Sequence, residues 1–287
     1  MIKRFLVMAS KSSPYFLPKR KCIISAIESN LSQQKTRRKK IKIEYEDQIH
    51  ENSGKQKDLC DTWQPQNWEV LLNNIKQMRI DRTATVDSKG CERTADSWEL
   101  PSVIRYQTLV SLMLSSQTKD EMTFAAMTRL KKHGLNISNV IDTSEEMIGK
   151  LIKPVGFWKR KAKYIKQASQ ICHDDFNSDI PDTVKGLISL PGVGPKMAYI
   201  CMTAAWGVVA GIGVDTHVHR IANRLHWVKK PTKNPENTRK ELETWLPRSE
   251  WKDINILLVG FGQETCLPVG PKCNTCLNKD ICPSAKA

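Results

Sequence analysis

Apolar residues recur at helical spacing along most of the chain, beginning at Trp68. The segment WEVLLNNIKQM places Trp68, Leu71, Leu72 and Ile75 at intervals of three or four residues, which predicts an amphipathic helix. Before this segment, residues 1–64 are polar and charged with little periodic apolar content. We therefore predict a disordered arm followed by a helical fold.

From Pro101 onward the pattern predicts one helix after another, preceded by a polar connector over residues 80–97. Pro101 suits the first turn of a helix. Thr118 fits the capping position for the next helix, which Gly134 would end, and Thr143 fits a second cap. There is no alternating β pattern and no solenoid repeat, so the predicted fold is all-α. The remaining helical segments are KAKYIKQASQIC, PDTVKGLISL, PKMAYICMTAAW, THVHRIANRL, NTRKELETWL and WKDINILLVGFG.

The positive charge of the chain is concentrated at its start. Of a formal net charge of +15, residues 1–42 contribute +11, from twelve Lys and Arg against the single acid Glu28. If the rest of the chain binds a polyanion, it must therefore do so through a local patch of basic residues, because its own net charge is small. No apolar run reaches the ~18 residues of a membrane span, so no membrane segment is expected.

The basic arm contains two stretches typical of targeting signals. Its first 21 residues are basic, contain serine and lack acids, which is typical of a mitochondrial presequence. The cluster KTRRKKIK at residues 35–42 is of nuclear-localisation type. We therefore expect the protein in the nucleus and the mitochondrion.

Four of the nine cysteines lie within the last 22 residues. An odd and otherwise scattered set of cysteines is typical of a reducing compartment, where a tight cluster more often binds metal than forms disulfides. Four thiolates can surround one zinc ion or an iron–sulfur cluster, and residue type alone leaves both open. The candidate ligands are Cys266, Cys273, Cys276 and Cys282.

The segment LPGVGPKMAYI combines a glycine turn with a helix start. Gly192 and Gly194 can adopt positive φ and carry no Cβ to obstruct a ligand. Pro195 suits the first helical position, which needs no N–H donor. The amides of this turn are then free to bind an anion such as a DNA phosphate. An ordinary turn between two helices is the alternative.

Lys196 and Asp215 are candidate catalytic residues, each with a simpler alternative role. A lysine is normally an ammonium with a pKa near ~10.4 and is not a nucleophile. A helix N-terminus and burial both favour the neutral amine, which can form a Schiff base; simple contact with a phosphate is the alternative for Lys196. Asp215 precedes a helical segment, so it is also a candidate N-cap.

The segments LPGVGPK and GVDTHVHRIANRL (213–225) together resemble the helix-hairpin-helix and following segment of the endonuclease III family. The likeness extends from about residue 66 to the C-terminus and is greatest to the eukaryotic thymine-glycol DNA glycosylases/AP lyases. It implies two helical domains with a DNA-binding cleft between them. One would comprise residues 99–212, and the other 65–98 together with 213–287.

The resemblance also implies a mechanism. Lys196 would attack C1′ of the damaged nucleotide and displace the base, and the resulting imine would allow β-elimination on the 3′ side. Asp215 would stabilise positive charge at C1′ and assist proton transfers. The spacing of the four cysteines resembles the family's [4Fe–4S] site, with Lys272 in that loop as a DNA contact.

Two further segments resemble family elements that enter the DNA duplex. In LSSQTKD, Gln117 stands where the family fills the space left by the extruded nucleotide. In VGFWKRKA, Phe157 stands at the position of the apolar wedge in the opposite strand. Arg160 and Lys161 are candidates for contact with phosphates, and a charge cluster at a helix start is the alternative. His217 is a further candidate for contact with a phosphate, with a structural role as its alternative.

The function expected is a base-excision-repair DNA glycosylase/AP lyase that removes oxidised pyrimidines. It would act as a monomer on double-stranded DNA containing an oxidised base or an abasic site. A monofunctional adenine mismatch glycosylase is the alternative enzyme, although Lys196 stands where such enzymes usually lack lysine. The alternative from another class is a non-enzymatic DNA-binding protein with a four-cysteine zinc site.

Overall fold

A computed structural model describes residues 63–285, and these contain twelve α-helices and no β-strand. The all-α prediction is thus confirmed, whereas the targeting stretches and nearly all of the predicted arm lie outside the described residues. No helix in this part of the chain is long and apolar enough to cross a membrane. The helices are α1 (Trp68–Met78), α2 (Thr85–Lys89), α3 (Pro101–Ser115), α4 (Asp120–His133), α5 (Ile137–Asp142), α6 (Glu145–Ile152), α7 (Trp158–Asp175), α8 (Val184–Ser189), α9 (Pro195–Trp206), α10 (Thr216–Arg224), α11 (Pro235–Glu243) and α12 (Ile254–Glu264). Single 3₁₀ turns occur at Cys91–Arg93, Arg248–Glu250 and Cys273–Thr275.

The first of two hydrophobic cores forms around α3, whose residues 106–114 are all buried. Apolar side chains of α4 to α9 pack around it. A helix enclosed in this way is buried on every side rather than along one stripe. It forms the centre of this half of the fold.

The second core brings α1 together with α10, α11 and α12, although α1 precedes the first core in the chain. Three tryptophans connect these helices edge to face. The ring centroid of Trp245 lies 5.3 Å from that of Trp68 and 5.9 Å from that of Trp227. Such pairs favour offset or edge-on contact because of the ring quadrupole. The residue ranges of the two predicted domains stay a prediction.

A buried arginine links α1 to α2 and α12. Arg79 lies directly after α1, and its Nη2 and Nη1 contact Asp87 Oδ2 at 2.6 Å and Glu264 Oε2 at 2.8 Å. A Cβ on Gly260 would lie 2.0 Å from Arg79 Nη2, so this position of α12 leaves no room for a side chain. Helix α2, within the predicted connector, is placed against both α4 and α12.

Two predicted helix caps are wrong. The N-cap of α4 is Lys119, which makes no side-chain cap, and the Thr118 hydroxyl instead donates to Ser116 O at 3.1 Å. The cap of α6 is Ser144, one residue after Thr143, and its hydroxyl accepts from the Met147 amide. Serine and threonine are both favoured at N-caps, so pattern alone does not select between neighbours.

Candidate active site

In the glycine turn between α8 and α9, only one of the two glycines that can adopt positive φ does so. Gly192 has φ +82°, and a Cβ there would lie 2.6 Å from Tyr164 Cδ2. Gly194 has φ −107°, which any residue can adopt, but a Cβ there would meet nothing within 4 Å. The first glycine is therefore required by backbone conformation and packing, while the second leaves open space at the helix start.

The start of α9 provides unbonded backbone donors. Within residues 63–285, the amides of Gly194, Lys196 and Met197 make no hydrogen bond. The Val193 amide is turned away and donates to Leu190 O at 3.2 Å. Pro195 occupies the first turn of the helix, as predicted. Unbonded N–H groups at a helix N-terminus form a ready anion site.

Lys196 and Asp215 line the same cleft, whose volume is about 890 Å³. Lys196 lies in the first turn of α9, and Asp215 directly precedes α10. The walls come from both cores, and Gln117, His217 and Gly194 lie along the same cleft. Residues far apart in the sequence are thus brought to one concave surface, as binding sites usually are.

Asp215 is an N-cap as well as a cleft residue. Its Oδ1 accepts a hydrogen bond of 2.8 Å from the Val218 amide. Its second oxygen, Oδ2, makes no hydrogen bond to any other described residue. The cap thus holds the carboxylate at the helix start and leaves one oxygen available to a ligand in the cleft.

A partly buried acid, Asp120, lies near Lys196 on the cleft wall. Burial raises the pKa of Asp120, and the positive charge of Lys196 acts in the opposite direction. The thiol of Cys91, on the cleft wall, has its pKa raised to about 12, again chiefly by burial. Burial disfavours charged forms, so this wall is less acidic than its residue types suggest.

The two histidines after Asp215 have different surroundings. His217 lines the cleft, and burial lowers its pKa, which favours the neutral ring. The Nδ1 atom of His219 lies 2.6 Å from Thr238 Oγ1, in a network of side chains behind α10. His219 therefore has a structural role, and His217 is the histidine accessible to a ligand.

Sequence reasoning missed the contact between Asp120 and Gln263 in this cleft. Gln263 Nε2 donates to Asp120 Oδ2 at 2.9 Å, and Gln263 Oε1 accepts from the Val86 amide at 3.0 Å. Asp120 belongs to the LSSQTKD segment, but nothing local to that segment indicates its partner on α12. The side chain of Gln263 connects α2, α4 and α12 at the cleft wall.

Gln117 and Phe157 meet at a second, adjoining cavity of about 230 Å³, which Gly192 also lines. Both side chains are exposed, Phe157 at 61%. Lys161, which we expected at a phosphate, is only 7% exposed and donates to backbone carbonyls. The prediction that Lys161 contacts a phosphate is therefore wrong. The guanidinium carbon of Arg160, by contrast, lies over the Phe157 ring, 6.0 Å from its centroid.

The four C-terminal cysteines line one small cavity of about 40 Å³, next to the second core. Arg224 Nη1 donates to Cys266 Sγ at 3.3 Å, so one sulfur of this cavity already has a charged neighbour. Burial raises the pKa of the Cys276 and Cys282 thiols. No three His, Cys, Asp or Glu side chains within residues 63–285 are arranged to hold a single metal ion. Lys272 is exposed beside this cavity rather than in the cleft.

Comparison with known proteins identifies the family. The model of the HhH-GPD superfamily of base excision DNA repair proteins matches residues 110–248. Endonuclease III-like protein 1 of Gallus gallus is 56% identical over 224 residues, which cover 78% of this chain and 80% of that protein. Its Mus musculus counterpart is also 56% identical, over 78% of this chain and 75% of its own length. The chain belongs to the endonuclease III family.

The solved structures agree with this assignment. A trapped endonuclease III–DNA covalent intermediate matches with a TM-score of 0.65 and 25% identity, over 75% of this chain and 94% of that one. A non-covalent endonuclease III–DNA complex matches equally well. This chain is accordingly a DNA-binding, base-excision-repair DNA glycosylase. The resemblance inferred from LPGVGPK and GVDTHVHRIANRL is confirmed.

Proposed function

We propose that this glycosylase is bifunctional, with Lys196 as the nucleophile and oxidised pyrimidines as its substrates. The observation that carries the proposal is the placement of Lys196 and Asp215 on one cleft, each at the start of a helix. The Lys196 ammonium has no hydrogen-bond or ion-pair partner among the described residues, so it is available to a substrate. A covalent endonuclease III–DNA intermediate among the matching structures supports the same chemistry.

The reaction then proceeds in two stages. After the ammonium gives up a proton, Lys196 Nζ forms a bond to C1′, the C1′–N bond breaks, and the base leaves with the electron pair and takes up a proton. The nitrogen, losing a second proton, then opens the sugar ring: the C1′–O4′ bond breaks, O4′ takes up a proton, and a Schiff base forms between Nζ and C1′. Loss of a proton from C2′ of this Schiff base expels the 3′ phosphate, and water hydrolyses the imine to free the lysine. Asp215 Oδ2 stabilises the positive charge that develops at C1′ and accepts or returns protons.

Reduction with borohydride tests the nucleophile, because it converts a Schiff base into a stable amine. We expect the wild-type chain to form a covalent adduct on a thymine-glycol duplex and Lys196→Gln to form none. Lys185, exposed on the preceding helix α8, is the matched control, and Lys185→Gln should trap as the wild type does. An adduct that persists in Lys196→Gln would assign the nucleophile to another residue. Base release without any adduct in the wild type would favour the monofunctional alternative.

We further propose a [4Fe–4S] cluster on Cys266, Cys273, Cys276 and Cys282. Members of this family generally carry an iron–sulfur cluster. The donor set fits, since the four side chains line one cavity and an arginine donates to one of the sulfurs. The group would fold its own loop and take no part in the reaction. Arg224, at the end of α10, also donates to Leu267 O at 2.7 Å and to Pro268 O at 2.9 Å in this loop, which holds Pro268 at the cleft edge.

The remaining proposals concern binding and location. The free amides at the start of α9 would bind a phosphate, and Gln117 and Phe157 would enter the duplex. Residues 1–42 would add sequence-independent DNA affinity and direct the protein to the nucleus and mitochondrion. Fusion of these residues to a fluorescent reporter tests the location, and a diffuse cytosolic signal would refute it. Sedimentation of the free and DNA-bound protein tests the proposed monomer.

A further inference from the structure

Lys161 is a buried lysine that the proposed reaction does not use. Its ammonium donates to Leu114 O at 2.6 Å, Ser116 O at 2.6 Å and Thr118 Oγ1 at 3.0 Å. A lysine ammonium has three N–H donors, so all of them are matched. The three acceptors lie at the end of α3 and in the loop of residues 116–119, which we call the Gln117 loop.

Lys161 also lies in the first turn of α7, directly after the loop of residues 153–157, which we call the Phe157 loop. Its amide donates to Phe157 O at 3.0 Å, the first i to i−4 hydrogen bond of α7. The side chain that holds the Gln117 loop thus comes from the helical turn that follows the Phe157 loop.

The two loops also touch directly. A Cβ on Gly156 would lie 2.7 Å from Gln117 O, so the two backbones approach at a distance that only glycine permits. Gln117 and Phe157 both have left-handed backbone conformations, with φ of 51° and 57°. Left-handed conformations are costly for residues with a side chain and persist only where the surroundings enforce them. Around Gln117 these surroundings include Lys161, whose ammonium binds Ser116 O and Thr118 Oγ1 on either side of it.

We propose that Lys161 is a positioning residue that clamps the Gln117 and Phe157 loops together, so that both side chains are presented to the DNA duplex as one unit. This inference rests on the proposed entry of Gln117 and Phe157 into the duplex. Both side chains are exposed and line one cavity, so a shift of either loop would separate them. Lys161 itself does not touch the DNA.

A lysine on the same helix provides a matched control. Lys166 Nζ donates to Ile141 O at 2.8 Å and to Thr143 O, so it also binds backbone carbonyls of a neighbouring loop. That loop does not contain Gln117 or Phe157. Loss of Lys166 therefore removes comparable hydrogen bonds without disturbing the two loops of the clamp.

The test compares Lys161→Met with Lys166→Met on two DNA substrates, by single-turnover kinetics and borohydride trapping. One substrate has thymine glycol paired within a duplex, and the other has it bulged with no opposing nucleotide. On the paired duplex, Lys161→Met should lower kcat/KM by about ten- to hundredfold, as misplaced contacts far from the chemistry do. On the bulged substrate, where less opening is needed, the loss should be less than about threefold. Lys166→Met should affect neither substrate.

A purely structural role predicts a different result. If Lys161 only stabilised the fold, its loss would reduce the active fraction and lower both rates equally, and an equal loss or no loss would overturn the inference. If Lys161→Met does not fold, Lys161→Gln, which keeps two N–H donors, is judged by the same comparison. If the wild-type chain forms no adduct on either substrate, the proposed function itself fails. If the wild type traps but the variants show no difference between substrates, only the positioning role fails.

Discussion

Gln263 on α12 donates a hydrogen bond of 2.9 Å to Asp120 in the first turn of α4, which joins the two cores across the active cleft. Gln263 accepts from the Val86 amide with its other amide atom, so its orientation is fixed. Burial raises the pKa of Asp120, and this hydrogen bond acts in the opposite direction. The contact is therefore a polar link between partly buried groups, and its loss should be measurable.

Gln263→Glu should destabilise the fold by about 1–3 kcal/mol at neutral pH, because it replaces the donor with a second carboxylate. The Val86 amide keeps its acceptor. The double variant Asp120→Asn/Gln263→Glu should recover most of the loss, since the introduced asparagine amide could then donate to the new carboxylate. Urea denaturation of the two single variants and the double variant gives the coupling free energy. Additive losses would show that the two side chains do not interact.

The same pair predicts how the stability of Gln263→Glu depends on pH. The pKa of Asp120 is raised in the folded state, so the folded protein binds a proton more readily than the unfolded chain. Acidification through that raised pKa therefore stabilises the fold, until the unfolded chain also takes up the proton. The deficit of Gln263→Glu should shrink as the pH falls, because a protonated carboxyl can again donate. Urea denaturation of the wild type and Gln263→Glu across this pH range measures the deficit, and a deficit that stays constant would contradict the coupling.

Much of the helical pattern could be predicted from sequence because its signals are local. WEVLLNNIKQM forms α1, Pro101 and Pro195 begin helices, and Gly134 ends α4 with φ +98°. Helix α2 was not predicted, because Val86 is the only apolar residue among its five, too few for a helical pattern of apolar positions. Its place depends on Asp87, whose partner Arg79 precedes it in the chain.

In the candidate site, too, the residues that could be predicted are those with local sequence signals. Lys196 and Asp215 could be named because the motifs that contain them are short and contiguous. The role of Lys161 could not, because its acceptors lie 43 to 47 residues earlier in the chain. Its neighbours Lys159 and Lys163 are exposed, so the charge cluster gives no sign that one of its lysines turns inward. Thr118, which the local pattern predicted as a cap, instead accepts one of the hydrogen bonds of Lys161.

Asp215→Asn should separate the chemical role of this residue from its role as a cap. Asparagine accepts from the Val218 amide as well as aspartate does, so stability should change by less than about 0.5 kcal/mol. DNA binding should persist, while turnover falls by about a hundredfold or more. Asp215→Ala should lose turnover and also about 1 kcal/mol of stability, through loss of the cap. Equal stability losses in both variants, with intact turnover in Asp215→Asn, would reduce Asp215 to a cap.

Cys276→Ser should remove the visible absorbance expected of an iron–sulfur protein and lower its iron content. Serine cannot supply the thiolate that such a cluster requires. Cys91 lies outside the cysteine cavity, so Cys91→Ser should keep both the colour and the iron. Visible spectra and metal analysis of the two variants and the wild type decide the matter. A colourless wild-type protein that contains zinc would overturn the cofactor assignment.

Arg79 and Arg82 both approach Asp87 but differ in burial, which makes them a matched pair. Arg79 is buried and holds Asp87 at 2.6 Å, while Arg82 is about half exposed and lies 3.9 Å away. Arg79→Met should cost about 3–5 kcal/mol, because it leaves the buried Asp87 carboxylate without its main partner. Arg82→Met should cost less than about 1 kcal/mol, as exposed pairs do. Thermal and urea unfolding give both values, and similar losses for the two variants would show that burial does not set the strength of this link between α2 and α12.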